Sequence, residues 1–108
     1  MLGMTTGIVI DNKDPEGLHR VKVEFPAQAD TAPKSSWCRV ATPMAGKDRG
    51  WVMLPDVGSE VVVGFAARSN NAIVLGGLFN GKADKPPYAN KDGKNNLRLL
   101  WTPGDNQL

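Results

Sequence analysis

The sequence predicts an all-β protein: a small closed barrel of five strands, then an extended polar linker and the start of a second β region. Three observations carry that prediction. Residues 19–25 alternate strictly, with Val21, Val23 and Phe25 on one side and Arg20, Lys22 and Glu24 on the other, the signature of a half-buried antiparallel strand. Turn-forming words recur about every 8–12 residues. No window sustains the spacing of an amphipathic helix.

Taken in order, Gly7-Ile8-Val9-Ile10 opens the first strand. Asp14-Pro15-Glu16-Gly17 is a turn: proline presets φ at the second position, Asp14 caps it, and Gly17 suits the last. With His19–Phe25 this makes a β-hairpin. Pro26–Ser35 reads as a loop and Ser36–Ala41 as a third strand. Thr42–Gly50, with one proline and two glycines, is too broken for more than one helical turn. Trp51–Leu54 reads as a short strand ended by Pro55, and Asp56–Ser59 as a turn with Gly58 as its backbone device. Glu60–Phe65 is nearly all apolar, predicting burial on both faces. Arg68–Asn71 turns the chain into Ala72–Phe79, where Gly76 and Gly77 suggest a bulge or a close backbone approach. Open edges are a liability for so small a sheet, which favours closure. An OB-like barrel fits best, spanning residues 1–81, with an SH3-like barrel as the alternative.

Residues 82–96 are rich in Lys, Asn, Pro and Gly and read as a polar linker. Residues 97–108 return to an apolar strand, Leu97–Trp101, then a turn and Gln107-Leu108. One strand and a turn make an unstable unit alone. The expectation is that the natural protein continues past Leu108.

Composition bounds the chemistry. The chain has 108 residues, one domain's worth. Area scaling gives a folded surface of about 5,800 Å² against about 16,800 Å² unfolded, enough for a small core and no deep cleft. One cysteine, Cys38, and one histidine, His19, argue against an intrachain disulfide, a Cys/His zinc site and a Ser-His-Asp triad. Asp11, Asp14 and Glu16 lie close together, but turn chemistry accounts for Asp14 better than a cation does. No catalytic, cofactor-binding or metal-ligating set is expected. Residues 1–81 carry eight Lys/Arg and eight Asp/Glu, and the whole excess of +2 lies in residues 82–108. A nucleic-acid binder needs a basic body to neutralise phosphates, and this body is neutral. No run approaches the roughly 20 apolar residues of a membrane span, and the N-terminus lacks the basic and apolar regions of a secretory signal. Trp37, Trp51 and Trp101 suit a core or subunit interface; a stacking platform for bases or sugars is the competing reading.

Three passages, GIVIDNKDPEGLHRVKVEFP, SSWCRVATPMAGKDRGWVMLPDVGSEVVVGF and AIVLGGLFNGKADKPP, resemble in order and spacing the OB-fold domain of the VgrG and phage baseplate assembly protein V family. The likeness runs from about Gly7 to Pro87. His19 stands where the family more often has a small residue or glycine. The resemblance implies a non-enzymatic collar in the spike of a contractile tail or type VI secretion machine. It implies a homotrimer, a hub or baseplate partner, and a PAAR-type tip protein reached through a β-helix needle. Nucleic acid is not an implied partner, and a membrane is met only by that needle. It also implies synthesis in the bacterial cytoplasm, without a signal peptide, and assembly into a virion tail or secretion apparatus. Leu97, Leu99 and Trp101 alternate on one side and are the candidates for subunit packing in the needle's first layer. Asp14, Pro15, Gly17, Gly58, Gly76 and Gly77 are the candidate structural turn positions. An OB module binding oligonucleotide or oligosaccharide is the alternative function. A cell-wall hydrolase is a third reading, but it needs a carboxylate or nucleophile-base pair that cannot be assembled here.

Overall fold

The computed structural model describes residues 3–25, 33–65, 71–82 and 84–108. Its strands are β1 (Gly3–Asp11), β2 (Lys22–Glu24), β3 (Arg39–Val40), β4 (Ala45–Gly46), β5 (Arg49–Gly50), β6 (Glu60–Phe65) and β7 (Ala72–Leu78). The main sheet has the order β2-β1-β6-β7-β3, with β4-β5 a separate ribbon. All neighbours in the main sheet are antiparallel except β3 and β7, which run parallel.

The two ends of that sheet meet. Val21 exchanges backbone hydrogen bonds with Cys38, at 3.0 and 2.7 Å, and Glu24 bridges Lys34. Phe25 N–H donates to Pro33 C=O at 2.8 Å and Ser35 N–H to Val23 C=O at 2.7 Å. The Ser35 hydroxyl accepts from Val23 N–H at 2.8 Å. The segment leading into β3 thus pairs with β2, and the cyclic order becomes 1-2-3-7-6. A five-stranded antiparallel barrel with one parallel pair is the OB topology, and the all-β, OB-like expectation holds.

The core is small: Val9, Val21, Val23, Cys38, Val61, Val63 and Val74, each at most 2% exposed. Phe25 and Phe65 pack against it with ring centroids 6.2 Å apart. Among the described residues every core residue lies from position 9 to position 74.

Several elements differ from the sequence reading. β1 begins at Gly3 rather than Gly7, because its first residues are held by pairing with the far end of β6. Trp51–Leu54 is not a strand; Trp51, Val52 and Met53 are exposed. The Thr42–Gly50 connection carries the β4-β5 ribbon, turned by Lys47-Asp48 with Asp48 at φ 57°. β6 buries only one face: Val61 and Val63 are buried and Val62 is half-buried. The expected loop over Pro26–Ser35 and turn over Arg68–Asn71 fall largely outside the described residues.

Candidate functional site

Three regions hold the residues singled out in the sequence. The first is the β1-β2 connection. Gly17 N–H donates to Asp14 C=O at 3.0 Å, with Gly17 at φ 68° and Pro15 exposed between them. Asp14 Oδ1 accepts from Glu16 N–H at 3.0 Å, and Oδ2 accepts from Leu18 N–H at 3.2 Å and Arg20 N–H at 3.3 Å. Arg20 then grips the carboxylate with both prongs, Nε at 2.7 Å and Nη2 at 3.0 Å, and Nη2 also reaches Glu16 at 2.9 Å. The Arg20 hydrogen bonds hold the Asp14 carboxyl well below the usual carboxylate range, against the opposing effect of desolvation. The Asp14 hydrogen bond in turn raises Arg20 above its ordinary value. A carboxylate so committed to an arginine and three amides has little left for a cation. Among the described residues no group of three His, Cys, Asp or Glu could hold a metal ion.

The second region is the barrel's glycines. Gly58, at φ 94°, sits third in a turn closed by Ser59 N–H to Asp56 C=O at 3.1 Å, the position that demands positive φ in a type II turn. Gly76 and Gly77 lie within β7, not in a turn. The register jumps from Val62↔Gly76 to Val63↔Val74, so the extra residue is Leu75. A Cβ on Gly76 would meet nothing within 4 Å, and one on Gly77 only Glu60 O at 3.9 Å. The tight glycines are others. A Cβ on Gly7 would collide with Val23 Cγ1 and lie 3.0 Å from Glu24 O, and one on Gly50 would lie 2.8 Å from Met44 O. No sequence signal distinguished these from the rest, since the crowding comes from the path of the neighbouring strand, β2 beside Gly7 and the Met44-Ala45 backbone beside Gly50.

The third region is the C-terminal end. Leu100 and Leu108 exchange backbone hydrogen bonds, at 3.3 and 2.9 Å, and Thr102 N–H donates to Asn106 C=O at 2.9 Å. These close a small hairpin. Trp101 stacks on Tyr88, with centroids 6.2 Å apart, and donates its indole N–H to Asp105 Oδ1 at 2.8 Å. Leu97 is 54% exposed and Trp101 41%, while Leu99 is half-buried.

The three indoles do not share a platform. Trp37 lies beside β2, its ring 5.1 Å from Lys22 Nζ. Trp101 belongs to the C-terminal hairpin. Trp51 lines a groove of about 380 Å³ between the barrel and the β4-β5 ribbon, with Leu18, Arg39, Met44, Arg49 and Met53. The sequence reading missed this groove because an apolar run such as Trp51–Leu54 looks like a buried strand, and only the path of the ribbon leaves it outside. No helix among the described residues is long and apolar enough to cross a membrane.

Comparison with known proteins agrees with this geometry. Residues 5–79 match the model of the type VI secretion system/phage-baseplate injector OB domain. The type VI secretion system spike proteins VgrG2a and VgrG2b of Pseudomonas aeruginosa are each 33% identical over 78 residues, covering 69% of this chain. VgrG3 of Vibrio cholerae is 35% identical over the same length. The match covers 8–9% of those relatives' own length, so this chain corresponds to one small part of them. The barrel topology and these matches together place the chain in the type VI secretion system/phage-baseplate injector OB domain family.

Proposed function

We propose that the barrel is a non-enzymatic collar in the spike of a contractile injection machine, joining a hub to a trimeric β-helix needle. The observation that carries this reading is the exposure of large apolar side chains. The total accessible area, polar and apolar together, is 8432 Å², about 2,600 Å² more than a compact monomer of this mass exposes. Leu78, Phe79, Tyr88, Leu97 and Trp101 are all at least 40% exposed. Large uncovered apolar surface marks sites of protein contact. The spike-protein names of the VgrG relatives support the same role. The partners in this reading are two further copies of the chain and a hub or baseplate protein. A PAAR-type tip would be met only through the needle, as would any membrane. The protein would be made in the cytoplasm and built into a phage tail or secretion apparatus.

The test is the assembly state of the full-length protein by light scattering after size-exclusion chromatography. A trimer is expected, and changing Leu97, Leu99 and Trp101 together to Ser should shift it towards monomer. A persistent trimer in that variant removes these residues from the interface. A monomeric full-length parent removes the collar reading itself.

A further inference from the structure

We propose that the groove between the barrel and the β4-β5 ribbon is a docking site for an extended peptide segment that carries carboxylates among apolar side chains. The inference rests on the barrel alone and does not depend on the C-terminal hairpin.

Three features of the groove converge on that occupant. The first is its apolar lining: Leu18, Met44, Trp51 and Met53 line it, at 61%, 54%, 48% and 48% exposure. Met and Trp at such exposure are typical of surfaces that receive another chain, since thioethers adapt to a partner's shape and indoles anchor it. At about 380 Å³ the groove is of ligand-pocket size.

The second is charge. Arg39, from β3, and Arg49, from β5, both line the groove, and no carboxylate does. Among the described residues neither guanidinium has an ion pair or hydrogen bond. The other arginine of this neighbourhood, Arg20, is fully engaged by Asp14 and Glu16. Two unengaged guanidiniums in an apolar lining are complementary to carboxylates, which they bind in a planar fork.

The third is backbone. Val52, Met53 and Leu54 lie outside the sheet and make no hydrogen bond among the described residues, and Val52 is 67% exposed. An extended segment laid beside them would gain main-chain hydrogen bonds, as in strand addition. A nucleic-acid strand fits less well, because Trp51 is the one indole in a lining otherwise dominated by aliphatic and thioether groups, too little to stack successive bases, and residues 1–81 carry no net charge.

The test begins with a display library of random short peptides selected on the 108-residue protein. The peptide with the greatest enrichment is then titrated against wild-type protein, and amide resonances of the protein are followed. Enriched peptides are expected to combine Asp or Glu with apolar residues, and saturation should move the Val52 and Met53 amides. The double reversal Arg39→Glu/Arg49→Glu, checked for folding by its melting curve, should weaken binding by at least about tenfold. A peptide with Lys in place of its acids should recover binding to that variant. Absence of enrichment, enrichment of peptides without acids, or indifference to the charge reversal would each overturn the proposal. Two other outcomes would also overturn it by naming another occupant. Concentration-dependent dimers abolished by Val52→Asp would assign the groove to a second copy. Oligo-dT binding with a steep salt dependence, lost in the double reversal, would assign it to nucleic acid.

Discussion

Asp14 accepts five hydrogen bonds, three from backbone amides and two from Arg20, and its side chain is 2% exposed. A carboxylate in that setting organises the whole connection between the first two barrel strands. The turn itself was legible, because Asp-Pro-Glu-Gly has one obvious conformation. The Arg20 grip was not, because it depends on the path of Gly17, Leu18 and His19, where His19 takes φ 54°. That value is one glycine adopts freely and other residues rarely. The ion pair also makes stability depend on pH. Asp14 has a lower pKa folded than unfolded, so in acid the unfolded chain takes up the proton first. Its contribution is therefore complete above about pH 5 and lost as the pH falls below about 4 towards the folded value. Asp14→Asn should lower the melting temperature clearly at pH 7, and the gap from wild type should narrow on acidification to pH ~2.5. A gap of constant size across that range would mean that the ion pair is not what the substitution removes.

At the scale of elements, the alternating runs were the readable part. β6 occupies Glu60–Phe65 as expected, and Val21 and Val23 face the core because period-two patterning leaves no other register. What resisted reading was anything set by a partner strand. The first residues of β1 look unremarkable but are held along β6. The parallel β3-β7 pairing joins segments about thirty residues apart and leaves no local trace. The glycines make the same point. Gly76 and Gly77 suggest a bulge or a close approach, and a register shift does fall beside Gly76, yet neither has a positive φ or a crowded Cβ position. Gly7 carries no such mark in the sequence, yet it is buried where β1 crosses Val23 and the Glu24 carbonyl. Gly7→Ala should therefore cost about 1–3 kcal/mol, the range for overpacking a core. Gly77→Ala should stay within about 0.5 kcal/mol of wild type. Urea midpoints at constant m-value distinguish the two. Equal costs would mean that β2 moves away from β1 freely, and that the crowding at Gly7 does not constrain the hairpin.

The whole molecule divides its labour unevenly. The radius of gyration is 15.4 Å, against about 13 Å for a compact chain of this length. Among the described residues, those from 84 to 108 add exposed surface without adding a buried core residue. The groove and the C-terminal hairpin were the least legible features for a shared reason: each depends on what lies beside it in three dimensions, while composition reports only that apolar residues are present. This division makes a prediction about stability. The turn at Asn80 is closed by Asp84, through Asn80 N–H to Asp84 C=O at 3.0 Å and Asp84 N–H to Asn80 Oδ1 at 3.1 Å, so a cut after Lys85 leaves the barrel's last contact whole. Such a truncation keeps all seven core residues found among the described residues and the β2-β3 closure. It should unfold with a free energy within about 0.5 kcal/mol of the 108-residue chain, the range for changes remote from a core. Its smaller change in exposed area should at most lower the m-value slightly. A loss of several kcal/mol would mean that the hairpin packs on the barrel and belongs to its fold. An unchanged barrel would leave the exposed rings of Tyr88 and Trp101 free for another subunit.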